Sequence, residues 1–237
     1  MIPFNIFGHS NTAGDNNEEP IVWVDSSDSS SYTLSGNDVT ALMNKGTLGG
    51  AMTLNGAVKF ANSGFESWSN SDYISFLLGT GFMRDNSFTI AVTYDLQDIS
   101  SGSVSSRNSF AEIRVNNLNA VAVIRGANDM FVYDYRASLG NGAETSETYQ
   151  LGVQTSLYTF DLQTLESIRM LPSGAYEIKL AGVFQALNDL LTLLLSNYLS
   201  SNSGADNPLH EFRLYDRAFS LTEMQTLQTE LNNKYTT

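Results

Sequence analysis

The chain has 237 residues, a formal net charge of −13, two histidines and no cysteine. This length suits one large β domain that buries about 70–75% of the surface its unfolded form exposes, without staples. The charge excludes non-specific nucleic-acid binding, which needs a basic surface; the absence of cysteine excludes disulfides and thiolate metal sites; and a zinc centre or Ser-His-Asp triad would have to use His9 or His210 alone.

Residues 1–19 form an arm. Pro3, Phe4, Ile6 and Phe7 are followed by the polar run GHSNTAGDNNEE. One reading is a frayed terminus; the other is an anchor whose apolar tip docks on a partner, because phenylalanines on a free tail are unusual. The opening lacks the basic region and long apolar core of a signal peptide, so synthesis in the cytoplasm is expected.

From Pro20 onward the pattern is one of short strands. Trp68, in the polar stretch FESWSNSDY, is either loop packing or a platform for stacking a sugar ring. SFTIAVTYDL places Phe88, Ile90, Val92, Tyr94 and Leu96 on one face and Thr89, Ala91, Thr93 and Asp95 on the other, which predicts a half-buried strand. FAEIRV, AVAVIR, MFVYDY, YTFDLQ and AYEIKLAG follow the same alternation, with Tyr133 and Tyr135 read as core. Asn55-Gly56, Asn141-Gly142 and Pro172-Ser173-Gly174 mark turns. VFQALNDLLTLLLSNYL has leucines at helical spacing, which on periodicity alone predicts a helix, although a continuous apolar run can also be a fully buried strand. Its LLTLLL core is far shorter than the ~20 residues of a membrane span.

HEFRLYD alternates again, setting Phe212 and Leu214 against Glu211, Arg213 and Tyr215. Glu211, like the glutamates of AEIRV and YEIKL, stands beside a cation and reads as part of a solvated pair. Ser220 and Glu223 then form S-x-x-E, a capping box, with Phe219 and Met224 in the staple positions. The helix they start carries Leu221, Met224, Leu227 or Gln228, Leu231 and Tyr235 on one face and is expected at the sheet edge or sandwich end. Arg213, Asp216 and Arg217 are expected to form ion pairs that fix the last strand to it.

FRLYDRAFSLTEMQTL resembles the closing motif of laminin-G-like, concanavalin A-type jelly rolls, through Arg213, Tyr215, Asp216, Arg217, Ala218 and Ser220, with Phe219 in place of the usual leucine. IVWVDSSDSSSYTLSGNDVTALMNKG resembles the opening of such domains in phage and other viral structural proteins, through Trp23, Asp25, Asp28 and Lys45; Leu42 stands where tryptophan is frequent. The resemblance covers residues 20–237 and implies an all-β antiparallel sandwich with one C-terminal helix. It also implies that LLTLLLSNY is a strand. Trp23, Arg213, Tyr215, Asp216, Arg217, Ser220 and Glu223 take framework roles.

The resemblance raises three functional questions. Members that hydrolyse β-glucans carry a Glu-x-Asp-x-x-Glu stretch that sets two carboxylates about 5–5.5 Å apart; no such stretch is present, so no catalytic residue is expected. The family's structural calcium would fall to Asp25 and Asp28, which read equally as Asx turns capping backbone amides. The setting it implies is a virion: a non-enzymatic capsid decoration, head-fibre or tail-associated protein. Such a protein is made in the host cytoplasm and displayed on the particle surface. Its expected partners are other virion proteins, further copies of itself and a host-surface glycan, with neither nucleic acid nor membrane insertion. The alternative is a free carbohydrate-binding module or adhesin.

Overall fold

The computed structural model describes residues 19–67, 72–80, 82, 86–96, 108–115, 118–125, 129–134, 143–148, 151–180, 190–198 and 208–236. In chain order the strands are β1 (Val22–Asp25), β2 (Tyr32–Ser35), β3 (Asp38–Leu42), β4 (Thr53–Asn55), β5 (Val58–Ala61), β6 (Gly64–Ser67), β7 (Tyr73–Thr80) and β8 (Phe88–Leu96). They continue with β9 (Asn108–Val115), β10 (Leu118–Arg125), β11 (Asp129–Asp134), β12 (Ala143–Thr148), β13 (Gly152–Asp161), β14 (Glu166–Met170), β15 (Tyr176–Leu180), β16 (Leu190–Tyr198) and β17 (Leu209–Tyr215). Helix α1 (Leu221–Tyr235) closes the fold.

Two antiparallel sheets form a sandwich. The ten-stranded sheet runs β15-β14-β13-β8-β17-β6-β5-β3-β2, with β1 also paired to β17; the seven-stranded sheet runs β12-β11-β10-β9-β16-β7-β4. The period-2 alternation sets the register. Ile90 stands opposite Leu214 on one side and Tyr158 on the other, and Val92 stands opposite Phe212. These rows meet Ile74, Phe110, Ile113, Leu193 and Leu195 of the second sheet in one buried core. The Tyr94 and Phe110 rings stack across it with centroids 4.1 Å apart.

LLTLLLSNY is strand β16, not helix. It is held between β9 and β7 along both edges, and its Leu193 and Leu195 enter the core. Pairing on both sides and burial on the inner face decide what periodicity left open.

Two expectations about the closing region need correction. Strand β8 is not half-buried: Thr89, Ala91 and Thr93 on its outer face are buried as fully as Ile90 and Val92. Helix α1 is the reason. It lies across the outer face of the ten-stranded sheet, over β13 and β8, rather than at an edge or end. Met224, Leu227 and Leu231 pack there on Ala91, Leu157, Met170, Tyr215 and Phe219 as a second apolar cluster. Under the helix the threonines pair across strands, Thr89 with Thr159 at 2.9 Å and Thr93 with Thr155 at 3.0 Å. Gln228 Nε2 donates to the carbonyls of Thr155 and Leu171, each at 2.8 Å, satisfying backbone acceptors that the helix would otherwise strand.

The helix begins at Ser220, whose Oγ accepts from Glu223 N while Glu223 Oε2 accepts from Ser220 N at 2.7 Å. Phe219 N is held by the Thr89 and Thr159 hydroxyls at 2.9 and 3.0 Å, so the entry to the helix is pinned to the sheet.

Candidate functional site

The densest group of charged side chains among the described residues lies under the C-terminal end of α1. It grows from the register of β1 on β17, which places Asp25 directly opposite Glu211 and Trp23 opposite Arg213, all on the outer face. Two carboxylates facing each other across a strand pair repel. The last turn of the helix supplies what holds them. Lys234 Nζ lies 2.9 Å from Asp25 Oδ2 and 2.7 Å from Glu211 Oε2. The Tyr235 hydroxyl lies 2.8 Å from Asp25 Oδ1 and 2.9 Å from Glu211 Oε2, its one proton shared between them.

The remaining lone pairs are also filled. Glu211 Oε1 accepts from Trp23 Nε1 at 2.7 Å and Arg213 Nε at 2.6 Å. Asp25 accepts from Ser27 N and Oγ at 2.9 and 2.6 Å, and from Lys45 at 3.1 Å. Glu211 is therefore not one half of a solvated surface pair: it is fully buried, because α1 covers the outer face.

This saturation bears on chemistry. Burial alone would raise the Asp25 carboxyl, but hydrogen bonds from Ser27, Lys234 and Tyr235 outweigh it and hold the group well below the usual carboxylate range. Burial and the charges of Glu211 and Asp25 push the Tyr235 phenol far up. A general acid or base works best with a pKa near the operating pH. Neither group is placed there, and no lone pair of Asp25 or Glu211 is left for a substrate. The cluster is a clamp between strand and helix.

The residues singled out in the sequence fall as follows. Asp25 and Asp28 form Asx turns, their Oδ1 atoms accepting from Ser27 N and Ser30 N at 2.9 and 3.0 Å. Between them sits an ammonium: Lys45 Nζ is 3.1 Å from Asp25 and 2.7 Å from Asp28, and its hydrogen bond is the main cause that lowers the Asp28 carboxyl to about 2. Among the described residues no group of three or more His, Cys, Asp or Glu is arranged to hold a metal. Trp23 lies with Lys45 Nζ 4.0 Å and Arg213 Cζ 5.2 Å from its ring centroid, so cations already use the surface a sugar would stack on. Arg213 reaches Glu230 on the helix at 3.1 Å, and Arg217 reaches Glu223 at 2.8 Å. Tyr215 packs under the helix. Asp216 is exposed, with no ion pair to another described residue. Trp68, Tyr135, the arm residues Pro3, Phe4, Ile6 and Phe7, and the side chain of Tyr133 lie outside the described residues.

Lys234 and Asn44 had no visible role in the sequence, and Tyr235 read only as part of the helix's apolar face. Asn44 stitches β1 to the following loop: its Oδ1 accepts from Trp23 N and Gly46 N at 2.8 Å each, and its Nδ2 donates to Ile21 O at 3.1 Å and Gly49 O at 3.0 Å. Gly46 packs so tightly on the Pro20 and Ile21 carbonyls that a Cβ there would overlap them. Only the Asn44-Lys45-Gly46 stretch could have hinted at this.

No protein-family profile and no curated protein matches the chain by sequence. Solved structures match it by fold. The receptor-binding domain of botulinum neurotoxin type G superposes with a TM-score of 0.61 at 12% identity, over 90% of this chain and 51% of that one. A botulinum neurotoxin type C structure, whose cell entry is described as dependent on two ganglioside molecules, gives 0.62 at 11% identity, over 85% and 52%. The binding domain of botulinum neurotoxin DC, solved in complex with SialylT, gives 0.64 at 11% identity, over 91% and 52%. The chain thus spans about half the length of the structures it matches. The fold is a concanavalin A-type jelly roll, shared with these neurotoxin structures.

Proposed function

We propose that this chain is a non-enzymatic recognition domain whose ligand is a carbohydrate. The observation that carries the reading is the fold itself, a jelly roll like that of receptor-binding domains, two of which are described with a ganglioside or a sialylated sugar. The charged cluster supports the non-catalytic half of the reading, because its carboxylates are spent on internal donors. The outer face of the ten-stranded sheet around β8 and β13 is occupied by α1, so the sugar surface falls to the loops or to the second sheet. Trp68 is the aromatic we assign as its platform. A glycan array carrying sialylated and neutral oligosaccharides tests this, followed by calorimetry on any hit. We expect selective binding, weakened at least tenfold (about 1.4 kcal/mol) by Trp68→Ala. An array with no hit would overturn the carbohydrate reading, and an unaffected Trp68→Ala would move the site elsewhere.

A second reading concerns the setting. The opening motif around Trp23 and Asp25 resembles that of laminin-G-like domains in viral structural proteins, which favours display on a virion with residues 1–19 as the anchor. The likeness to toxin binding domains bears on recognition rather than on a particle. Deleting residues 1–19 should abolish incorporation into particles and leave the domain folded; undiminished incorporation would remove the anchor role.

A further inference from the structure

His210 sits where β17 slips in register against β8, between Leu209 and Glu211. Such a bulge re-aims a side chain, and the buried ring of His210 stacks on Tyr235 of α1 with an interplanar angle of 19°. The backbone fixes its tautomer. Nδ1 lies 3.0 Å from the Ser63 carbonyl oxygen, which can only accept, so Nδ1 carries the proton of the neutral imidazole. Nε2 is buried and has no hydrogen-bond partner among the described residues. A second proton would have to sit there, with no acceptor to meet it. The charged groups on the elements around the ring are Asp95 of β8, Glu66 of β6, Asp25 of β1, Glu211 of β17 and Lys234 of α1. Asp95 and Glu211 favour an imidazolium, but burial outweighs them. Asp25 and Glu211 are already matched by Lys45, Arg213 and Lys234, and Glu66 accepts from Asn62 Nδ2 at 3.0 Å.

We infer that His210 is an acid-sensitive latch on the C-terminal end of α1: its protonation drives the ring out from beneath Tyr235, and the last turn of the helix lifts off the sheet. Tyr235 is the lever, because its hydroxyl joins Asp25 and Glu211 at 2.8 and 2.9 Å. When the stack is lost, that shared proton is withdrawn from both carboxylates, and the part-exposed Lys234 is left to hold them. The opening stays local. The start of α1 is fixed separately by the capping box at Ser220, and Met224, Leu227 and Leu231 are anchored in the apolar cluster on β8 and β13. Neutral pH thus keeps Glu211 covered, and mild acid uncovers it. The inference goes beyond the carbohydrate reading and stands without it.

Amide hydrogen exchange read by mass spectrometry tests the latch, with the full chain compared at about pH 7.5 and about pH 5 and the rates corrected for the intrinsic effect of pH. An imidazole that regains its ordinary 6.5 on leaving the site favours the open form by up to about thirtyfold at pH 5. That pH lies above the 3.8 at which an aspartate ordinarily titrates, so Asp25 stays charged throughout. Exchange in residues 232–236 should rise on the order of tenfold, while residues 221–228 and strand β8 keep their protection. His210→Asn, which keeps a donor for Ser63 O, should abolish the acid response. No response at 232–236 in the unaltered protein, an equal rise across the whole sandwich, or a response retained in His210→Asn would each overturn the inference.

Discussion

At the scale of single residues, the fold rests on an acid pair that would repel if left alone. Asp25 and Glu211 face each other and are tolerable only because Lys234, Tyr235, Arg213, Lys45 and the Trp23 indole fill their lone pairs. Glu211→Ala leaves Arg213 with only the exposed Glu230 and Lys234 with only Asp25, and chemical denaturation should register a loss of about 3–5 kcal/mol. Beside this pair His210 stacks on Tyr235 with ring centroids 4.9 Å apart, its Nδ1 3.0 Å from Ser63 O and its Nε2 without a hydrogen-bond partner among the described residues. Burial pushes this imidazole below its ordinary 6.5. The stability it contributes is therefore complete above that pH and is lost as pH falls. Asp25, held below its ordinary 3.8, behaves in the same sense at lower pH. Calorimetric melting temperatures should decline in two stages, one starting near 6.5 and one near 3.8. His210→Asn, which keeps a donor for Ser63 O, should remove the first stage alone. Little of this was legible in the sequence. Lys234 lies 209 positions from Asp25, and Glu211 read as solvated because the outward residue of a strand is wet unless something covers it.

At the scale of elements, the covering is α1. Its start was legible, since a capping box is a local device written in four consecutive residues, Ser220 to Glu223. Ser220→Ala should cost about 1 kcal/mol in thermal unfolding. Its resting place was not legible, because α1 settles on Ala91, Leu157 and Met170, which come from three separate strands. The clue lay in β8, whose outer Thr89, Ala91 and Thr93 are too small and too weakly polar for a wet face. Truncation after Phe219 should expose that face, and the shortened chain should bind a hydrophobic dye or aggregate; a soluble, cooperatively melting product would contradict the assigned role. Strand β16 shows the opposite case, in which the leucine run alone supported two answers and the strands on either side chose one. Strand β12, AETSET, carries no apolar alternation to read, and its pairing with β11 is what identifies it.

At the scale of the whole molecule, the sandwich was the most legible feature, because alternating strands separated by turns leave few other ways to bury their faces. Function is less legible for a physical reason: framework residues such as Trp23 and Arg213 are spent on internal bonds, whereas a ligand is read by side chains that a fold leaves free. The clamp also links the ends of the molecule in time. Among the described residues β17 is the only strand paired with β1, and the Asp25 of β1 awaits Lys234, 209 residues further on. At about 5–20 residues per second of synthesis, the nascent β1 stands without its partner strand and clamp for roughly ten to forty seconds. Ribosome-bound chains of this protein are therefore a natural substrate for chaperones, and slowing translation near the 3′ end of the message should lower soluble yield more than any single substitution on the finished surface.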